Sequence, residues 1–228
     1  RDLVRSRGLG DVYKRQRFYN TVFFNGRQWP VTCKQVQFYN GGNAGVQEGH
    51  ATTTGYMLFK RFNRSISKTS PGVTSQNRPS IIFRLADFYL IYAEVANEVN
   101  PSDSRVLTYL NLVRERAGLP KIEVLNPGIV GNKELQRAAI QRERQIELAT
   151  EGQRYFDVRR WMIADKDGEG RQNGYAHGMN VRGTINDTEE FNRVVETEKI
   201  VFNRKMYLQP IPDHEMRKTQ NLVQNPGW

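Results

Sequence analysis

The chain has 228 residues, of which 38% are hydrophobic and 25% are charged, enough for one large domain or two small ones with a buried core. A single cysteine, Cys33, excludes an internal disulfide framework and a cysteine-rich zinc site, and no stretch approaches the ~18 consecutive apolar residues of a transmembrane helix. The three histidines, His50, His177 and His214, are far apart and form no metal-binding pair. The sequence therefore predicts neither a metal site nor a cofactor.

The charge balance is the unusual property of this composition. The 34 lysines and arginines exceed the 24 acidic residues by ten, and 24 of the basic residues are arginine. This excess indicates either a nucleic-acid-binding surface or arginines that pair with carboxylates inside a helical body. Arginines and acidic residues alternate between positions 114 and 160, and no run of five like charges occurs. The pattern favours pairing, and no nucleic-acid partner is predicted.

The first 62 residues divide into two segments of different character. Residues 1–16 have neither a hydrophobic period nor the apolar core of a signal peptide, and their run GLGDVYKRQ resembles translated adapter sequence from assembled gene fragments. We expect this segment to be non-native and to make no stable contacts. Residues 17–62 are rich in aromatic residues, glycine and asparagine, which predicts extended segments and long loops with a strand at 55–62.

A pair of amphipathic helices is predicted after a polar loop at 63–79. The first helix covers residues 82–99 and stops at Asn100-Pro101. Its predicted apolar face consists of Leu85, Phe88, Tyr89, Tyr92, Ala93, Ala96 and Val99. Ser102 is the predicted N-cap of the second helix, and Gly118 is its C′ glycine. The pair spans about 35 residues, close to the 34 of a tetratricopeptide unit.

The rest of the chain alternates helical and irregular segments. The predicted elements are a loop at 120–131, a helix from the Asn132 cap to Thr150, a helix at 153–164, a polar loop at 165–190, an extended stretch at 206–208, one helical turn at Asp213–Met216 and a turn at 225–227. The predicted fold class is mainly α: a tetratricopeptide-like helix pair plus further helices, with long irregular aromatic-rich loops and a few short strands.

A group of charged residues lies within the 18 positions that follow position 142. Its members are Glu143, Arg144, Glu147, Glu151, Arg154, Asp157 and Arg160. Glu147 and Asp157 could be the acid and nucleophile of a glycoside hydrolase. The carboxylates could instead hold a metal, although the Glu-x-x-His motif of di-iron bundles is absent. The third hypothesis, a structural network of carboxylate–guanidinium pairs, is favoured by the number of arginines.

Five motifs occur in a fixed order from residue 84 to the end of the chain. They are RLADFYLIYAE at 84–94, LNLVRERAGL at 110–119, ERQIELATEGQRYFDVRRW at 143–161, YLQPIP at 207–212 and QNPGW at 224–228. Together with RFYNTV at 17–22 and Trp29, they resemble the C-terminal part of the SusD/RagB family of outer-membrane nutrient-binding lipoproteins. Gln209 and Trp228 depart from the family pattern, in which an aromatic residue and a tyrosine are usual.

This resemblance implies a non-catalytic protein on the cell-surface face of the outer membrane. Such proteins bind glycans, or peptides in some members, and partner a SusC-like TonB-dependent transporter. Residues 17–228 would then be the C-terminal part of a domain whose N-terminal half, with its lipid anchor as the membrane contact, lies outside this chain. Cys33 does not match the lipidated position.

The resemblance also implies that the ligand site is built from aromatic side chains on loops. Because sugar faces are apolar, exposed rings suit them. The candidates here are Trp29, Phe38 and Tyr39, with Asn40 and Asn43 as hydrogen-bonding groups. The competing interpretation is that these rings form core, as we expect for Trp161. A glycan is the predicted ligand; the alternatives are a peptide or, in a different class, a carboxylate-dependent hydrolase.

Overall fold

The computed structural model describes residues 17–29, 34–45, 52–60, 62, 81–166, 173–184, 190–191 and 194–228. The helices are α1 (Leu85–Val99), α2 (Ser104–Arg116), α3 (Ile122–Leu125), α4 (Lys133–Glu147), α5 (Gln153–Arg160) and α6 (Asp213–Met216), with 3₁₀ turns at Pro127–Ile129 and Arg204–Tyr207. The strands are β1 (Val22–Phe24), β2 (Tyr56–Leu58), β3 (Gly174–Met179) and β4 (Val194–Ile200). The mainly α fold class is confirmed. Segment 1–16, Cys33 and the loop at 63–79 lie outside the described residues.

The predicted helix pair is confirmed as the antiparallel hairpin of α1 and α2, with a different N-cap. Asp103, not Ser102, caps α2, because its Oδ1 accepts a hydrogen bond of 2.9 Å from the backbone N–H of Arg105. Gly118 has φ +73° and follows the C-cap, as predicted. The backbone N–H of the next residue, Leu119, returns to the carbonyl of Arg114 at 2.9 Å and completes a Schellman motif.

The apolar face predicted for α1 is mostly wrong. Leu85, Phe88 and Val99 are 61%, 56% and 82% exposed; Ala93 lies in the buried core, and Tyr89 and Ala96 are partly buried against it. The face that packs on α2 and α4 instead consists of Ala86, Asp87, Leu90, Ala93 and Asn97. Two of these residues, Asp87 and Asn97, are polar, so the hydrophobic pattern of the sequence did not reveal the buried face. Together with Val106, Leu110, Val113 and Ile140, the apolar members form the helical core.

The helices after this hairpin differ from their predictions mainly at their ends. The loop predicted at 120–131 contains α3 and the first 3₁₀ turn. Asn132 caps α4, as predicted, by accepting 3.1 Å from the N–H of Leu135, but α4 ends at Glu147 and α5 at Arg160. Gly152 connects them with φ +84°, a left-handed conformation that favours glycine.

The aromatic-rich segment forms a separate core around a short sheet. β1 and β2 pair antiparallel, with Val22 opposite Leu58, so the strand predicted at 55–62 is shorter than expected. The buried residues of this core are Phe23, Val36, Phe38, Tyr39, Phe59 and Phe191. We call this region the aromatic body, and α1, α2, α4 and α5 the helical body.

A two-stranded sheet replaces part of the predicted loop at 165–190. β3 pairs antiparallel with β4 and carries a bulge between Ala176 and His177. The loop prediction failed because β3 combines glycine with small and polar residues rather than the β-branched run that indicates a strand. β3 also contacts the aromatic body, where a Cβ on Gly178 would lie 2.7 Å from the Thr54 Cα.

The C-terminal arm packs on a third apolar cluster, formed by Val158, Ala164 and Phe202. The stretch predicted as extended at 206–208 lies mostly in the second 3₁₀ turn, whereas the predicted turn α6 is confirmed. Asn225 and Trp228 close the predicted terminal turn with an N–H···O bond of 3.2 Å. Among the described residues, no helix has the length and apolar content to cross a membrane.

Candidate functional site

Arg144 lies at the centre of the charged group that the sequence singled out. Its Nε and Nη2 donate to the two carboxylate oxygens of Asp157 at 3.0 and 3.1 Å, and its Nη1 donates to Asp87 at 2.9 Å. All three side chains are at most 4% exposed. This fork joins α1, α4 and α5 through a single guanidinium, which is the geometry that bidentate arginine pairing provides.

Arg160 extends this network toward solvent. It donates to both oxygens of Glu94 at 2.5 and 2.6 Å, and its Nε donates to Asp157 at 2.9 Å. The Trp161 indole also donates to Glu94, at 2.6 Å, while the guanidinium of Arg154 lies 5.8 Å from the Trp161 ring centroid. Burial alone would lower the pKa of Arg160. The pKa is nevertheless raised, because the hydrogen bond and charge of Glu94, together with the pairing with Asp157, outweigh the effect of burial.

Three glutamates of the group form a second branch at the end of α4. Glu143 pairs with Arg17 and Arg114; Glu147 pairs with Arg17, Arg84 and Arg116; Glu151 pairs with Lys60 and Arg84. The structure thus brings Glu143, Glu147 and Glu151 against cations, as the pairing hypothesis requires. Arg17, Lys60 and Arg84 were not in the predicted set. They come from outside the 143–160 segment, so sequence spacing could not identify them.

The same geometry argues against the hydrolase hypothesis. Glu147 and Asp157 are 6% and 2% exposed, and each is held by guanidinium groups rather than lining an open cleft. A glycoside hydrolase needs two carboxylates that flank the scissile bond of a bound sugar. Within the described part of the chain, no group of three or more His, Cys, Asp and Glu side chains is placed to hold a metal ion.

The rings predicted to contact a ligand belong largely to the core of the aromatic body. Phe38 and Tyr39 are 1% and 7% exposed, which corrects their assignment as ligand-stacking residues. They are buried because Phe23 and Phe191 pack edge-on against them, with centroids 6.4 and 6.1 Å away. Trp29 is half-buried and packs on Phe23.

The two predicted asparagines shape the loop that carries these rings. The Asn43 side chain accepts a hydrogen bond of 2.9 Å from the Gln37 N–H and donates one of 2.8 Å to the Gln35 carbonyl. Both the oxygen and the nitrogen of its amide therefore hold the loop closed. The backbone N–H of Asn40 donates 2.9 Å to the Gly183 carbonyl, which ties the loop to the chain after β3.

A surface group of four rings, which the sequence did not single out, lies beside β1 and β2. Phe18, Tyr19, Phe24 and Tyr56 have neighbouring centroids 5.3–6.2 Å apart, and Phe18 and Tyr19 are 39% and 46% exposed. In the sequence, Phe18 and Tyr19 belong to the RFYNTV motif at 17–22, which does not by itself indicate a surface group of rings. Its exposure depends on a short helical turn that is not evident in the sequence.

A cleft of about 470 Å³ lies between α5 and the C-terminal arm. Its lining residues are Tyr155, Arg159, Ile200, Val201, Phe202, Met206, Gln209 and Trp228. The sequence gives no indication of this cleft, because its walls come from segments up to about 70 residues apart.

Comparisons with known proteins agree on one family. The family model of the SusD family matches residues 11–228, a match that begins inside the segment predicted to be non-native. SusD-like protein P25 of Formosa agariphila is 44% identical over 106 residues, which are 46% of this chain and 19% of that protein.

Two solved structures are similar over most of the chain. BT4246 has a TM-score of 0.77 and 28% identity, and a SusD-like carbohydrate binding protein of Bacteroides fragilis, BF0978, has a TM-score of 0.68 and 25% identity. The alignments cover 93% and 91% of this chain, but only 36% and 41% of those proteins. The chain therefore spans well under half the length of these relatives.

Proposed function

Because the chain belongs to the SusD family, we propose that it is part of a cell-surface nutrient-binding protein that captures glycans at the outer membrane. The match over residues 11–228 carries this proposal, and a solved relative that is a SusD-like carbohydrate binding protein supports it. We propose further that residues 17–228 are the C-terminal part of such a domain and that a SusC-like TonB-dependent transporter receives the ligand.

The proposed activity is binding without catalysis. The carboxylates most suited to acid–base work, Glu147 and Asp157, are committed to arginines in the helical body. Their carboxylate oxygens are occupied by guanidinium partners, which screens them from a ligand. Capture by rings and hydrogen-bonding groups needs no titrating residue, so the ion network is assigned to holding the helices together.

Trp29 is the predicted ring that keeps partial access to solvent, and we propose it as a ligand contact. It packs against the buried ring of Phe23 and the partly buried ring of Phe62, with centroids 5.1 and 4.9 Å away, which fixes its orientation. Asn40 is half-buried in the same loop segment. A ring supported in this way loses little conformational entropy when a ligand stacks on it.

The test is binding of the 228-residue chain to a microarray of neutral and acidic plant and algal glycans, with a set of short peptides on the same surface. We expect glycan binding that weakens about 5–10-fold in Trp29→Ala, because one stacking contact is worth on the order of 1 kcal/mol. Tyr175→Ala, which removes an exposed ring from β3, is the matched control and should bind normally. Selective peptide binding would assign the chain to the peptide-binding alternative.

The absence of turnover is tested in the same samples. No glycan on the array should be shortened during incubation, as judged by mass spectrometry of the released products. Cleavage that disappears in Glu147→Gln would restore the hydrolase hypothesis. For the transporter, the chain should co-purify with a SusC-like protein encoded beside its gene, and failure to do so would remove that part of the proposal.

A further inference from the structure

The cleft between α5 and the C-terminal arm has two walls of different origin. One wall is the exposed side of α5, with Tyr155 and Arg159, and the other comes from the arm, with Met206 and Trp228. Phe202 lines the cleft and also belongs to the buried cluster with Val158 and Ala164, so this part of the lining is rigid. The volume of about 470 Å³ lies within the range of small-ligand sites.

Trp228 is held in place before any ligand arrives. Its indole Nε1 donates to the carbonyls of Lys205 and Leu208, both at 3.0 Å, and the Lys205 ammonium lies 4.2 Å from the ring centroid. The preceding Gly227 has φ +87°, and a Cβ there would lie 3.0 Å from the Lys205 Cβ. The turn therefore requires glycine and orients a ring that is still 44% exposed.

The polar groups of the cleft are few and lie beside the rings. The Arg159 guanidinium is 3.5 Å from the Tyr155 ring centroid and 4.9 Å from that of Phe202, and it donates to the Tyr155 carbonyl at 3.0 Å. Gln209 contributes an exposed amide, while its backbone carbonyl is held by Asn225 at 2.6 Å. No carboxylate and no histidine is among the described residues that line the cleft.

We infer that this cleft binds one sugar ring of a glycan, as a second contact separate from Trp29; this inference rests on the proposed function. A pyranose has an apolar C–H face and an edge of hydroxyl groups. The indole of Trp228 and the phenol of Tyr155 match the face, while the Gln209 amide matches the hydroxyls. The described lining residues supply no general acid or base, so the sugar is held and not cleaved.

The experiment compares three variants on the same glycan microarray, followed by calorimetric titration with the glycan that the unmodified chain binds best. We expect Trp228→Ala to weaken binding about 5–10-fold, Gln209→Ala to weaken it less, and Trp228→Phe to recover part of the loss. Tyr175→Ala is the control for loss of an exposed ring. Circular dichroism and the melting temperature of each variant show whether the fold is intact.

The outcomes separate this inference from the proposed function. If Trp29→Ala weakens glycan binding but Trp228→Ala and Gln209→Ala do not, the cleft is not a sugar site, and the proposed function is unaffected. Absence of any glycan binding by the unmodified chain would overturn both. A cleft that binds short peptides, with loss in Trp228→Ala, would overturn the sugar assignment. If Trp228→Ala fails to fold, Gln209→Ala and Trp228→Phe decide the question.

Discussion

The helical body and the aromatic body are stabilised by different kinds of side-chain contact. The helical body buries small and medium aliphatic side chains and adds a charged layer around Arg144. The described residues of the aromatic body form little regular structure, and the buried cluster among them consists of rings and one valine. Helices are positioned by directional charge pairs at their contacts, whereas the loops of the aromatic body are held by interlocking rings such as Phe23 and Phe59, 5.4 Å apart.

This difference predicts that the two bodies respond differently to substitution. A buried charge that loses its partner costs more than the pair contributed, because the remaining charge is left desolvated. A ring replaced by a smaller apolar group costs the transfer energy and the cavity that the neighbours do not fill. The helical body should therefore be fragile at single charged positions, and the aromatic body should tolerate conservative apolar changes.

The largest expected effect is at Arg144. Arg144→Met leaves Asp87 and Asp157 buried and without this cation, which should lower the free energy of unfolding by about 3–5 kcal/mol. Urea unfolding followed by circular dichroism measures the change. Arg137→Met is the control, because Arg137 pairs with Glu98 and Glu134 at the surface and its loss should cost less than about 1 kcal/mol. Equal losses in the two variants would contradict the distinction.

A smaller effect is expected in the aromatic body. Phe38→Leu keeps an apolar side chain at a site that is 1% exposed, and we expect a loss of about 1–2 kcal/mol from the unfilled volume. The same urea experiment at two salt concentrations sharpens the comparison, because the loss should not depend on salt. Tyr19→Leu, at an exposed ring, should change stability by less than about 0.5 kcal/mol.

The helix cap of α4 should contribute about 1 kcal/mol. Asn132→Ala removes the acceptor of the Leu135 N–H, which a helix start does not otherwise satisfy. Ser102→Ala is a matched test, because sequence reasoning chose Ser102 as a cap and the structure uses Asp103 instead. We expect Ser102→Ala to leave the urea midpoint unchanged; a loss as large as that of Asn132→Ala would mean that Ser102 does cap α2.

The smallest effect concerns pH. The hydrogen bond from Arg137, only partly offset by burial, and the pairing with Lys133 lower the pKa of Glu98 to about 2. Because the folded pKa is below the unfolded value of 4.5, the pair stabilises the fold above pH 4.5 and loses this effect as the pH falls toward 2. Melting temperatures from pH 5 to 2 should fall less steeply in Glu98→Gln. Since Glu98 is 40% exposed, the difference should stay below about 1 kcal/mol and shrink in salt.

Local chemistry made parts of the fold predictable from the sequence. The C′ glycine Gly118, the N-cap Asn132 and the turn at 225–227 depend only on neighbouring residues. The structure contains all three as predicted. The apolar face of α1 was not predictable in this way, because Asp87 and Asn97 are buried by partners on α4, Arg144 and the Lys133 carbonyl. A polar residue appears exposed until its distant partner is known.

The candidate site shows the same limit more strongly. The composition of residues 17–62 indicated a segment rich in aromatic rings, but which of Trp29, Phe38 and Tyr39 are exposed depends on Phe59 and Phe191, which come from later in the chain. The cleft joins residues 155 and 159 to residues 200–228, and no spacing rule relates these segments. Whether a side chain is exposed or lines a cleft depends on the tertiary structure. Residue type alone could therefore suggest ligand-binding residues but could not show which of them are accessible.

The contact between the two bodies has a consequence for the order of folding. Lys60 of the aromatic body donates to the carbonyls of Glu147 and Ala149, at 2.7 and 3.2 Å, and so satisfies one backbone group at the end of α4 and one just beyond it. These partners are 87 and 89 residues apart in sequence. Closing so long a loop costs entropy that local helical contacts do not. We therefore expect the α1–α2 hairpin to form early and the last turn of α4 to become stable only when the aromatic body docks, which makes this junction a late event in folding.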